Sequence, residues 1–119
     1  MYSFKENVGF ALEGIRYFFR NEKNGKIQGV IACLIVLLSF FFGISPIEWC
    51  IILTSIALVI ALEMVNTAME KVCAMLTTEY HPIIKIIKDV AAGAVLWASV
   101  FTAIIGCIIF IPYIIVRFL

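Results

Sequence analysis

Four polar residues recur at helical spacing near the middle of the chain: Glu63, Asn66, Thr67 and Glu70. At 3.6 residues per turn, positions i, i+3, i+4 and i+7 lie on one stripe of an α-helix. We call these residues the polar stripe. Its two carboxylates are about 10 Å apart along the helix axis, a separation that suits two tasks better than one shared task.

The two carboxylates differ in their surroundings, which predicts different roles. Glu63 follows an apolar run, and a carboxylate with little water around it is suited to take the proton of an alcohol as a general base. Glu70 lies farther along, where we expect lipid headgroups and where a hydrated cation could be held. Asn66 lies between them and could orient either one. The alternative is that both glutamates are ordinary charges at the end of a membrane helix.

Two charged residues outside the stripe could complete a phosphate site. Glu22 precedes the first apolar run of the chain. A Mg²⁺ ion on nucleotide phosphates takes only one or two protein carboxylates, so Glu22 and Glu70 would suffice. Lys88 could meet a phosphate as a point charge. The alternative for Lys88 is a lysine that extends its ammonium group to the membrane surface.

A compact polar patch, Glu79-Tyr80-His81, comes directly before Pro82. His81 should be extended because a proline follows it, and a hydrogen-bonded turn histidine is the alternative to a catalytic one. The sequence contains no GxxxxGK[ST] motif and no kinase-type glycine-rich loop. Any nucleotide must therefore be held mainly through metal, lysine and polar helix ends.

The elements that position these residues are expected to be membrane helices. Hydrophobic residues make up 64% of the 119 and charged residues 14%, an apolar excess that a soluble domain of this size could not bury. Helical stretches at 27–44, 47–76 and 90–116 are long enough to cross a hydrocarbon core of about 30 Å. Residues 1–26 place apolar side chains at three- and four-residue steps, which predicts an amphipathic helix on the membrane surface.

The distribution of basic residues predicts an orientation. Eight Lys and Arg residues lie before the first span or around the turn between spans two and three, and only Arg117 lies elsewhere. The positive-inside rule then puts the N-terminus and the second turn in the cytoplasm and the C-terminus outside. The net charge of only +1 makes nucleic acid an unexpected partner.

Several segments together resemble one family, the prokaryotic diacylglycerol kinases, which are small trimeric integral-membrane lipid kinases. The segments are Glu63 to Glu70 (EMVNTAME), Glu79 to Pro82 (EYHP), 88–95 (KDVAAGAV), Glu13 to Arg16 (EGIR) and Asn21-Glu22. The resemblance covers nearly the whole chain. Within the family, Pro82 and the Ala91-Ala92-Gly93 pattern resemble the undecaprenol kinase branch more than the enterobacterial diacylglycerol kinase branch.

The resemblance implies ATP-dependent phosphorylation of a lipid primary hydroxyl by a homotrimer. It implies that Glu63 is the catalytic base with Asn66 supporting it, and that Glu22 and Glu70 bind Mg²⁺. Arg16 falls where a basic residue near the lipid and phosphate is usual. The positions matching nucleotide contacts are Glu79, Tyr80, His81, Lys88 and Asp89.

Three positions depart from the pattern of the family. Gly25 stands where an aromatic residue is common, Gln28 lies near a frequent histidine, and Ala74 stands where the family usually has Asp. None of them removes a residue assigned to chemistry, although Ala74 bears on metal or nucleotide binding.

The sequence therefore predicts an all-α membrane protein in which residues 1–119 form a single lipid kinase domain. An N-terminal interfacial helix and three transmembrane helices assemble as a trimeric bundle in the bacterial inner membrane. Undecaprenol is the expected acceptor, and diacylglycerol is the alternative. Two other classes stay open: a small proton-coupled transporter, which should place carboxylates near mid-bilayer, and a non-enzymatic assembly subunit, which would leave the polar stripe unexplained.

Overall fold

The computed structural model describes residues 1–119 and contains four helices and no strand. The helices are α1 (Phe4–Asn21), α2 (Lys23–Phe42), α3 (Pro46–Leu76) and α4 (Pro82–Phe118). The last three are long and apolar enough to cross a membrane. The predicted all-α architecture, with one amphipathic helix before three long apolar ones, is confirmed.

A single non-helical residue, Glu22, joins α1 to α2, and we call it the elbow. Its backbone is extended, with φ −97° and ψ 130°. Beyond it, Gly25 packs directly on the backbone of Phe18, which is buried. A Cβ atom at Gly25 would collide with the Phe18 carbonyl group. The aromatic residue common at this position in the family therefore has no room here.

The turn between α2 and α3 is short and fully capped. Gly43 closes α2 with a left-handed backbone at φ 60°, which glycine adopts without steric cost. Ser45 begins α3 with a capping box: its hydroxyl accepts from the Glu48 N–H at 3.2 Å, and the Glu48 carboxylate accepts from the Ser45 N–H at 2.9 Å. Pro46 occupies the first helical position, so the break predicted at Ser-Pro is confirmed.

The connection from α3 to α4 is residues 77–81. The side chain of His81 caps α4 by accepting a hydrogen bond from the Ile83 N–H at 3.2 Å. Helix α4 thus begins at Pro82, and the short segment that the sequence places before residue 90 forms its first two turns. In the same way, α2 begins four residues before the apolar stretch at 27–44.

The buried core of the chain is small, and the part of it that packs as a cluster lies at one end. Ile44, Ile52, Ile109 and Phe110 form its main cluster, and the Tyr113 hydroxyl donates a hydrogen bond to Glu48 beside it. We call this the Glu48 end, and the opposite end, where the elbow meets α3, the Glu63 end. Only 14 of 119 residues are buried, so most apolar side chains face outward, as lipid or a further copy of the chain would require.

Candidate functional site

The polar stripe faces the interior of the helix bundle. Glu63 is 5% exposed, Asn66 4% and Thr67 9%, whereas Glu70 at the end of the stripe is exposed. The single-stripe arrangement predicted from the spacing is therefore present. Buried polar groups are costly unless they are hydrogen-bonded, so their partners decide what the site can do.

Glu63 receives its hydrogen bond from another helix. Asn24, in the first turn of α2, donates from Nδ2 to Oε1 of Glu63 at 3.0 Å. The sequence analysis did not identify Asn24. The two residues are 39 positions apart, and no local spacing signals a contact that arises only when α2 packs on α3.

Asn66 is bonded to the outer carboxylate. Its Nδ2 donates to Oε1 of Glu70 at 3.2 Å. Its Oδ1 is buried and has no hydrogen-bond partner. Within one chain the Asn66 amide thus bonds to Glu70 and not to Glu63. A buried oxygen without a donor is suited to receive one from a ligand or to coordinate a cation.

The elbow is joined to α3 by an ion pair. Nζ of Lys71 lies 2.9 Å from Oε1 of Glu22 and 5.4 Å from the centre of the Tyr17 ring. The hydrogen bond from Lys71 is the main reason that the pKa of the Glu22 carboxyl is lowered from its ordinary value. Because Lys71 follows Glu70 in the chain, this pair brings Glu22 to the same turn of α3 as Glu70.

The oxygen atoms around Glu70 fit a hard cation in part. The Glu70 carboxylate and the unpaired Asn66 Oδ1 are the kinds of oxygen ligand that Mg²⁺ prefers. No group of three or more His, Cys, Asp or Glu side chains comes together in the chain. An ion bound here would need its remaining ligands from water and phosphate, as Mg²⁺ at nucleotide sites commonly does.

The remaining predicted site residues lie at the Glu63 end without joining the stripe. No side-chain hydrogen bond or ion pair links them to Glu63 or Glu70 within one chain. Asp89 is paired with Lys85 at 2.6 Å on the surface of α4. The N–H of Glu79 donates to the Thr77 hydroxyl at 3.0 Å. These residues are all exposed: Arg16, Glu79, Tyr80, His81, Lys88 and Asp89.

An apolar groove of about 330 Å³ runs between α2, α3 and α4. Val59 and Ile60 line it, and they lie one helical turn before Glu63 on α3. The walls are mainly aliphatic, but they include three hydroxyl side chains, Ser55, Ser99 and Thr102. The site thus combines a hydrogen-bonded carboxylate, a groove for apolar chains close to it and a partial cation site one to two turns away.

Comparison with known proteins shows the family to which the sequence belongs. Residues 9–110 match the family described as prokaryotic diacylglycerol kinase. The chain is 39% identical to the undecaprenol kinase of Bacillus subtilis over 102 residues, covering 86% of this chain and 83% of that protein. It is 33% identical to the diacylglycerol kinase of Haemophilus influenzae, with 85% and 86% covered. It is 30% identical to the diacylglycerol kinase of Escherichia coli K12, with 86% and 84% covered.

Proposed function

Since the chain belongs to the prokaryotic diacylglycerol kinase family, and is therefore a multi-pass membrane lipid kinase that uses ATP, we propose that its acceptor is undecaprenol. The similarity to an undecaprenol kinase at 39% identity carries this proposal, because the diacylglycerol kinases above are similar at 33% and 30%. Membership of the family also confirms the resemblance read from the sequence.

The groove beside Glu63 supports the same acceptor. Its lining is mainly aliphatic and matches the hydrocarbon chain of a polyprenol, which has a single hydroxyl and leaves no other polar group to pair. Diacylglycerol has two ester carbonyls, and each would cost on the order of 1–3 kcal/mol if it were desolvated without a donor.

One observation favours diacylglycerol as the second candidate. Ser55, Ser99 and Thr102 bring hydroxyl groups into the groove, and a hydroxyl can donate to an ester carbonyl. Removing these hydroxyls should therefore lower diacylglycerol turnover more than undecaprenol turnover, with the Gln28 amide as the remaining side-chain donor in the groove.

The proposed reaction is an in-line transfer at the Glu63 end. Glu63 takes the hydroxyl proton of the lipid, the lipid oxygen forms a bond to the γ-phosphorus of ATP, and the bond to the β,γ-bridging oxygen breaks to release ADP. Burial of Glu63 and the groove near it support this role, because the base must meet a hydroxyl that arrives from the hydrocarbon region.

Mg²⁺ is the proposed metal, with Glu70 and Glu22 as its protein carboxylates. When bound, it would offset the negative charge of the ATP phosphates. The unpaired Oδ1 of Asn66 beside Glu70 supports an ion at this place. Glu22 is paired with Lys71, so metal binding would exchange that partner for the ion.

Nucleotide binding is proposed for the exposed residues of the Glu63 end, and a homotrimer is proposed to bring them to the stripe. Within one chain, Lys88 and the patch at 79–81 form no side-chain hydrogen bond or ion pair with Glu63 or Glu70. A second copy of the chain could bring its own Lys88 and 79–81 patch to the polar stripe. The same packing would cover many of the apolar side chains that face outward. The proposed setting is the bacterial inner membrane, with the Glu63 end and the N-terminus in the cytoplasm.

The test is a direct comparison of the two lipids in one bilayer. ATP consumption should depend on added lipid alcohol, and kcat/KM should be higher for undecaprenol than for diacylglycerol. Replacing Ser55, Ser99 and Thr102 by Ala, Ala and Val should leave undecaprenol turnover nearly unchanged and lower any diacylglycerol turnover. A diacylglycerol kcat/KM equal to or above that of undecaprenol would overturn the acceptor and leave the kinase in place.

A further inference from the structure

The carboxylate proposed as the base has one hydrogen-bond partner in the chain, and it lies on a different helix. Asn24 of α2 donates to Oε1 of Glu63 at 3.0 Å. Glu63 is 5% exposed, whereas Asn24 is exposed, so the bond lies where the buried carboxylate meets the surface of the bundle. The other carboxylate oxygen, Oε2, accepts no hydrogen bond from the chain.

The polar residue nearest to Glu63 on α3 forms no hydrogen bond with it. Asn66 is one turn along α3, and its amide nitrogen is bonded to Glu70. The orientation of Glu63 therefore depends on α2 rather than on the rest of the polar stripe.

The first turn of α2 is held against α3 at two levels. Two residues before Asn24, the elbow residue Glu22 is paired with Lys71 at 2.9 Å. The two α3 partners, Glu63 and Lys71, are eight positions apart, or about 12 Å along the helix. Two contacts at that separation fix both the height and the rotation of the turn that carries Asn24.

We propose that Asn24 is a positioning residue for the phosphoryl transfer, one that binds Oε1 of Glu63 and leaves Oε2 to take the proton of the lipid hydroxyl. The proposal rests on the proposed role of Glu63 as the base. In this role Asn24 acts through its hydrogen bond to Glu63. Its contribution is a fixed direction for the accepting oxygen, and small displacements of a catalytic group are costly to rate.

This role predicts that loss of Asn24 lowers kcat and leaves the binding of ATP and lipid unchanged. Asn24→Ala should lower kcat about 10- to 100-fold, the range expected when a reacting group loses its alignment, while KM for ATP and for the lipid stay within twofold. Asn24→Asp keeps the shape, removes the donor and should be at least as impaired. Asn24→Gln keeps an amide donor and should recover part of the rate. Asn7→Ala, an exposed asparagine of α1, is the matched control and should be unchanged.

A double-mutant cycle separates positioning from a merely structural role. If Asn24 acts only through Glu63, adding Asn24→Ala to Glu63→Gln should lower the residual single-turnover rate no further. Multiplying effects, an unchanged kcat in both Asn24→Ala and Asn24→Asp, or a rise in KM alone would overturn the proposal. The two possible failures are distinguishable. High activity in Glu63→Gln would refute the assignment of Glu63 as the base. An inactive Glu63→Gln variant together with a fully active Asn24→Ala variant would refute only the positioning role of Asn24.

Discussion

Lys71 and Glu22 form an ion pair, with 2.9 Å between Nζ and Oε1, that ties the elbow between α1 and α2 to the outer part of α3. It is the only ion pair in the chain that joins two different helical segments, because the other pair, Lys85 with Asp89, lies within α4. Glu22 is also the proposed metal carboxylate. The same side chain thus pairs with Lys71 in this fold and would be a ligand in the proposed metal site.

The first prediction concerns pH. The Lys71 hydrogen bond lowers the pKa of Glu22 in the folded chain, so the unfolded chain binds this proton at a higher pH. The stabilisation is therefore complete above the ordinary glutamate pKa and is lost as pH falls through the lower folded value. In metal-free detergent solution, the unfolding temperature of the unaltered protein should fall more steeply between pH 6 and pH 3 than that of Lys71→Met.

Lys85→Met is the control for this measurement, because Lys85 pairs within one exposed helix. It should keep the steep acid dependence of the unaltered protein. Equal slopes for Lys71→Met and the unaltered protein would show that the Glu22–Lys71 pair does not contribute to stability at neutral pH.

The second prediction concerns Glu63. Glu63→Gln keeps the size of the side chain and can still bond to Asn24, but it cannot accept a proton. Turnover should fall by about 10²- to 10⁴-fold, the usual loss when a general base is removed. Elution volume and unfolding temperature should stay unchanged, which separates chemistry from assembly. Near-normal turnover in this variant would refute the assignment of the base.

The third prediction concerns the metal. Glu22→Ala and Glu70→Ala should each raise the Mg²⁺ concentration needed for half-maximal rate, because each removes a carboxylate from the same ion. In the double variant the two effects should be clearly non-additive, as expected for groups that share a partner. Glu13→Ala, on the exposed surface of α1, is the control. Strictly additive effects would indicate that the two glutamates serve separate purposes.

The fourth prediction concerns the packing of the elbow. Gly25→Ala places a Cβ atom against the backbone of Phe18, which cannot move aside as a flexible side chain could. The free energy of unfolding should fall by about 1–3 kcal/mol, the usual cost of overpacking. Gly14→Ala has no atom within 4 Å of the added Cβ and should be tolerated. Equal stability of the two variants would contradict the close approach at Gly25.

The fifth prediction concerns topology. From the distribution of basic residues, the N-terminus should be cytoplasmic and the C-terminus outside. A tag placed after Leu119 should react with a membrane-impermeant reagent in intact spheroplasts, and a tag before Met1 should react only after lysis. The reverse pattern would invert the proposed orientation.

The sequence predicts what repeats along a helix and misses what forms between helices. Glu63, Asn66 and Thr67 are buried together because helical spacing alone puts them on one stripe. Asn24 could not be found in that way, because its partner lies 39 positions away. The role of Glu48 could have been found: Ser45 followed three residues later by Glu is the signature of a capping box, and Glu48 forms one.

The pairing of charged residues at the Glu63 end was also beyond the sequence. The pattern predicted Glu22 and Glu70 on the same side of the membrane, and the structure adds that Lys71, which follows Glu70 in the chain, pairs with Glu22. That contact depends on the one-residue break at Glu22, whose extended backbone has no signal in composition or periodicity.

The hydrogen bond from Tyr113 to Glu48 fixes α4 to α3 at one end of their hairpin, and we call this point the fulcrum. At that end the two helices share this bond and the apolar cluster around Ile52. At the Glu63 end, no side-chain hydrogen bond or ion pair joins them. Lys88 lies 25 residues from Tyr113, about 38 Å along α4, so a tilt of about 5° about the fulcrum would displace it by about 3 Å. Because α4 is 37 residues long, the position of Lys88 relative to α3 would be sensitive to a slight rotation of α4 near Glu48.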